Sequence, residues 1–110
     1  MSYTFTARIG HDVDGEADAL TAPLIVETAR RVLGFGGCTA WEARGYWRGG
    51  YEETTVIEIC GLGETEAGAL MERLPELAAA LDQTSVYGSI QEGRCEERFA
   101  SERGIETEAA

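Results

Sequence analysis

Lysine is absent from the 110-residue chain, histidine occurs once, proline twice and cysteine three times. Each scarcity excludes a structure or a chemistry. Without lysine there is no Walker phosphate-binding loop. No apolar run approaches the roughly 18 residues a membrane span needs, and Met1 to Gly10 has neither the basic start nor the apolar core of a secretory signal. A cytoplasmic, soluble protein is expected. Cys38, Cys60 and Cys95 are odd in number and widely spaced, which fits neither a disulfide scaffold nor the close pairs of a zinc site. Reduced, mostly buried thiols are expected.

Positive charge is scarce too: nine arginines stand against 20 acidic side chains, for a formal net charge of −11. Such a polyanion repels phosphate backbones and anionic membranes, so neither nucleic acid nor membrane is an expected partner. Cations and basic proteins are favoured instead. The excess is uneven, −4 over residues 1–60 and −7 over 61–110. Hydrophobic residues make up 44% of the chain, too many for disorder. At this length one domain is expected, here residues 1–99, followed by an acidic tail over 100–110.

Tyr3, Phe5, Ala7 and Ile9 alternate with polar residues, the period of a strand with one buried face. Gly10 to Asp18 breaks that pattern and reads as a loop. From about Thr21 to Leu33 the pairs Leu24/Ile25, Thr28/Ala29 and Val32/Leu33 recur at helical spacing, with Pro23 in the first turn and Gly34 as a stop. Cys38 to Trp47 and Tyr51 to Cys60 form a hairpin signal around Arg48, Gly49 and Gly50. A Gly49-Gly50 loop sets Trp41 opposite Glu58 and mixes the apolar sets. A three-residue loop pairs Trp47 with Tyr51, Trp41 with Ile57 and Thr39 with Ile59, and is the register the side chains favour, with Gly50 taking a positive φ. Leu70, Leu74, Leu77 and Leu81 stripe a helix over Thr65 to Asp82 that Pro75 kinks or divides at Leu74. Ser85 to Gln91 reads as a last strand, with Val86, Gly88 and Ile90 on one face. Residues 94–99 offer a short extra strand or turn before a frayed end. The order β-α-β-β-α-β is the ferredoxin-like plait, an α+β fold with both helices on one face of a four-stranded antiparallel sheet.

His11, Asp12, Asp14 and Glu16 crowd the first loop, and oxygens on a flexible loop suit a hard cation, so a weak divalent-cation site is a candidate there. The spacing departs from the EF-hand, with Gly15 two positions early. His11 is also the candidate general base of a small plait enzyme, although no second catalytic group accompanies it. Gly61-Leu62-Gly63 has the look of a phosphate cradle, but Glu64 and Glu66 repel phosphate and favour a plain helix start. Arg30, Arg31, Arg44, Arg48 and Arg94 are more simply satisfied by salt bridges to neighbouring acids than by an anionic ligand. Cys60, with no histidine near it, reads as a buried small residue rather than a nucleophile.

The most distinctive stretch is Gly45-Tyr46-Trp47-Arg48-Gly49-Gly50-Tyr51-Glu52-Glu53, running into Val56-Ile57-Glu58-Ile59. It resembles the hairpin of the CutA divalent-cation-tolerance family, as do Arg30-Arg31 and the closing Ile90-Gln91-Glu92-Gly93 with Phe99. The resemblance implies a PII-like trimer in which the long hairpin crosses to a neighbouring subunit. The family's histidine-proline-tyrosine segment is replaced here by Leu74-Pro75-Glu76.

These readings lead to the expectation of a non-enzymatic, oligomeric binding or regulatory module, a dimer or trimer. Its ligand or interface residues are Trp41, Arg44, Tyr46, Trp47, Arg48, Tyr51 and Glu52, and its cofactor is unknown. Two alternatives are an acidic, phage- or plasmid-borne inhibitor facing a basic protein, and the plait enzyme using His11.

Overall fold

The computed structural model describes residues 2–47 and 49–93, and of Trp47 the backbone alone. Strand β1 (Tyr3–Gly10) is followed by helix α1 (Ala22–Leu33), the hairpin β2 (Thr39–Trp47) and β3 (Gly50–Leu62), helices α2 (Glu64–Glu72) and α3 (Leu74–Ala80), and strand β4 (Tyr87–Glu92). The sheet order is β2-β3-β1-β4 with every neighbouring pair antiparallel, the ferredoxin-like plait. No helix among the described residues is long and apolar enough to cross a membrane.

The expected alternation places the core. Phe5, Ala7 and Ile9 of β1 lie beside Ile59, Ile57 and Thr55 of β3, all buried. Ile25, Ala29 and Leu33 of α1 cover one part of that face, and Leu70, Leu74, Leu77 and Leu81 cover the rest. The leucine stripe is buried throughout its length. Thr21 caps α1, accepting from the Leu24 N–H at 3.4 Å, and Gly34 ends it in the left-handed region. The break in the second helical stretch falls at Arg73, two residues before Pro75, so that the proline opens α3 in the position where its missing N–H costs nothing.

The hairpin register corrects the expected one. Trp47 pairs with Gly50, Tyr46 with Tyr51, Arg44 with Glu53 and Trp41 with Val56. The connection is therefore the two residues Arg48 and Gly49, and the positive φ of +82° belongs to Gly49, as a tight hairpin turn requires. The one-residue shift moves each β2 side chain to the opposite face from that expected. Small Ala40 takes the place beside Ile57 on the helix-covered side, and Trp41 goes to the uncovered side. The shift also brings Arg44 directly across from Glu53, where they form an ion pair at 3.2 Å. β3 is long enough to pair with β1 through Thr54–Leu62 and still project beyond Gly10, so the hairpin tip overhangs the sheet.

Two further expectations change. Cys60 is exposed, because Ile59 faces the core and the next side chain must face away; neither Cys38 nor Cys60 is in a disulfide. Strand β4 spans Tyr87–Glu92 rather than Ser85 to Gln91. The possible turn at 94–99, Phe99, Cys95, Arg94 and the acidic tail lie outside the described residues, as do Arg48 and the side chain of Trp47.

Candidate functional site

Where β1 ends at Gly10, three segments far apart in sequence converge. The first is the loop His11–Leu20, a closed excursion in which the Leu20 N–H donates to the His11 carbonyl at 2.9 Å. Within it Val13 and Glu16 bridge, Asp14 and Gly15 turn the chain with φ of +48° and +82°, and the Asp12 carboxylate accepts the Asp18 N–H at 2.9 Å. Aspartate and glycine are the residues that tolerate such backbone, so this loop's composition reflects its turn. The second segment is the overhanging hairpin tip. The third is the connection from α3 to β4, where Gln83 donates from Nε2 to the carbonyls of Asp12 at 2.8 Å and Gly10 at 3.3 Å.

Between them opens a cleft of ≈ 800 Å³ lined by Arg8, Asp12, Asp14, Tyr46, Glu52, Thr54, Asp82, Thr84, Ser85 and Tyr87. Glu52 is its best-placed carboxylate. The side chain crosses the end of β1, where a Cβ on residue 10 would collide with the carboxyl group; glycine there is what admits it. One oxygen, Oε2, accepts the Asp12 N–H at 3.0 Å, and no other described residue donates to this carboxylate. Asp14 and Asp82 are exposed with no side-chain partner among the described residues. Four carboxylates thus face one arginine, Arg8, whose guanidinium carbon stands 5.0 Å from the centre of the Tyr87 ring. The cleft is of small-molecule size, and its carboxylates favour positive charge.

The candidates named from the sequence divide between this place and others. Glu52, Asp12, Asp14 and Tyr46 line the cleft. Arg44 is held by Glu53 and lies 5.8 Å from the Tyr51 ring centre, and Tyr51 meets Tyr46 edge-on at 5.3 Å, a cluster on the exposed hairpin. Trp41 is half exposed on the bare sheet face. Arg30 pairs with Glu27 at 2.6 Å, the bland outcome for a surface arginine. Gly63 gives its N–H to the Glu66 carboxylate at 2.8 Å, so the glycine segment serves as a helix cap.

The loop residues expected to hold a cation are not brought together. His11 is buried, and its Nε2 is hydrogen-bonded to Thr55 Oγ1 at 2.8 Å inside the core, away from Asp14 and Glu16. No group of three or more His, Cys, Asp or Glu side chains gathers to hold a metal among the described residues. His11, expected as a general base at the sheet's mouth, is instead buried against Thr55. Burial also pushes the Cys38 thiol above its ordinary pKa, which disfavours the thiolate.

Sequence reasoning missed Arg8, Tyr87 and the run from Asp82 to Ser85. Arg8 and Tyr87 read only as polar or outward positions in their strands. Asp82-Gln83-Thr84-Ser85 carried a signal, four polar residues between a leucine stripe and a strand.

No protein-family model matches the chain, and a search of curated proteins finds no match. Solved structures do share its fold. A phage SAM lyase in complex with S-methyl-5'-thioadenosine superposes with a TM-score of 0.66 at 22% identity, over 83% of this chain and 81% of its own. A phage SAM lyase in its apo state gives 0.67 at 23% identity, over 81% and 78%. The expectation of a non-enzymatic binding or regulatory module is corrected by these two neighbours, both of them structures of a SAM lyase.

Proposed function

We propose that this chain is an enzyme that cleaves S-adenosylmethionine (SAM) to S-methyl-5'-thioadenosine without consuming water, and that the acidic cleft beside Gly10 is its active site. The observation that carries this reading is the cleft itself: it is large enough to admit SAM and its four carboxylates suit a cation, on a fold shared with phage SAM lyase.

The chemistry asks little of the protein in proton transfer. Breaking the bond between sulfur and the aminobutyrate carbon returns the electron pair to sulfur. The leaving group is then a neutral thioether that needs no proton. The four-carbon fragment completes its own valence, either by closing on its carboxylate, which releases no proton, or by losing a β-proton to a carboxylate of the cleft. A site without a histidine pair or a metal is adequate for such a step, whose main requirements are positioning and electrostatics. Glu52, with one oxygen fixed by the Asp12 N–H, is placed to receive the ammonium or sulfonium charge, and the net charge of −11 draws the cation in.

The purified protein incubated with SAM is expected to yield S-methyl-5'-thioadenosine, detected by chromatography and mass spectrometry. In H2(18)O the products carry no label from a cleavage step. Glu52→Gln is expected to lower kcat/KM roughly tenfold to a hundredfold, the range for losing one charged hydrogen-bond partner. Absence of product above a protein-free control overturns the assignment, and label introduced by cleavage reassigns it as hydrolysis.

We further propose that the bare sheet face is covered by other copies of the chain. Trp41, at 45% exposure, stands on it away from the cleft, an apolar surface that a second subunit would remove from water.

A further inference from the structure

We infer that Arg8 binds the α-carboxylate of the substrate and so sets the preference of the cleft for a nucleoside that still carries its amino-acid end over the stripped thioether. The inference rests on the reading of the cleft as a SAM site.

Arg8 is the one cation among the described residues lining the cleft, and four acids share that lining. It nevertheless makes no ion pair or side-chain hydrogen bond with any described residue. Of the other described arginines, Arg30 and Arg44 each hold a glutamate and Arg73 donates to the Leu33 carbonyl at 3.3 Å, while Arg31, like Arg8, forms no ion pair with a described residue. In a protein with 20 acidic and nine basic side chains, an arginine left without a carboxylate beside a cluster of them has its donors free. The Tyr87 ring explains how it is held. Arg8 sits directly across from Tyr87 in the sheet, and its guanidinium lies 5.0 Å from the ring centre. A ring contact of this kind orients the planar fork without spending its N–H groups, which then fit a carboxylate in two parallel bonds.

The charges of the substrate fall on this pattern in one orientation. SAM carries one carboxylate and two cationic centres, the ammonium and the sulfonium. Placing the carboxylate at Arg8 leaves both cations to Glu52 and the neighbouring acids, whereas the reverse sets carboxylate against carboxylate. S-methyl-5'-thioadenosine has lost the amino-acid end and has nothing to offer Arg8. The same contact that retains substrate is therefore absent for the product.

Two uncleavable probes test this by calorimetry: S-adenosylhomocysteine, which keeps the amino-acid end, and S-methyl-5'-thioadenosine, which lacks it. Arg8→Gln is expected to weaken S-adenosylhomocysteine roughly 10- to 100-fold while S-methyl-5'-thioadenosine stays within about twofold, which also shows that the variant is folded. Arg8→Lys, keeping the charge without the fork, falls between. Unchanged binding of S-adenosylhomocysteine to Arg8→Gln overturns the inference, as does an equal loss of both probes. A wild-type protein that binds neither probe overturns the site assignment itself, and the inference with it.

Discussion

His11 and Thr55 are buried polar side chains that satisfy each other across 2.8 Å, at 5% and 0% exposure. A buried donor or acceptor left without a partner costs more than the pair contributes, because the remaining group has lost its water. Thr55→Val keeps the volume and removes the hydroxyl, and is expected to destabilise the fold by about 1–3 kcal/mol, measured as a lower urea midpoint. Replacing both residues, as in the combination of Thr55→Val with His11→Leu, is expected to recover part of that loss. A double variant no better than Thr55→Val would mean that the contact is not what Thr55 supplies. The histidine was legible as the singular residue of the sequence, but its loop of acids suggested a ligand role. Its direction depends on Thr55, 44 positions away, and no local pattern carries that information.

Among the elements, α1 was legible from residue to residue: the apolar spacing, Pro23 in the first turn and Gly34 at the end all stand where they were expected. Its exposed face adds a pH-dependent term. The hydrogen bond from Arg30 holds the Glu27 carboxyl below its ordinary pKa, with the nearby positive charge adding to the effect. A carboxyl lowered in the folded state stabilises it above the unfolded carboxylate range and ceases to do so as the pH falls through the folded value. Glu27→Gln is therefore expected to melt slightly below the wild type near neutral pH and together with it in acid, followed by the helical circular dichroism signal. A gap that persists unchanged into acid would locate the effect elsewhere. The hairpin was legible as an element but not in its register. Alternation identifies two faces in each strand, yet a shift of one residue exchanges them, and the choice was made by the helices covering Ile57, by Arg44 meeting Glu53 and by the turn at Gly49.

At the scale of the whole molecule, the proposed covering of the sheet by other copies makes a plain expectation. Light scattering on a sizing column should return a multiple of the 11.9 kDa chain mass, and Trp41→Arg should shift the protein toward that single mass while leaving its circular dichroism spectrum in place. A wild-type monomer would leave the sheet face as ordinary surface. The cleft is a property of this scale as well. Arg8 comes from the first strand, Glu52 from the hairpin tip and Asp82 from the connection before the last strand, and the hydrogen bonds of Gln83 to Gly10 and Asp12 fasten two of those segments together.

The sequence by itself determined the plait. Alternating residues in β1 and the leucine stripe over 70–81 each name a buried face through local periodicity, and only a layered α+β arrangement buries them together. It also determined the net charge of −11. Tertiary structure alone decided which strand faces meet, that His11 turns inward, and that one arginine and four carboxylates share a cleft. Those outcomes depend on contacts between residues tens of positions apart, where what occupies the neighbouring space, rather than the order of residues along the chain, settles where a side chain goes.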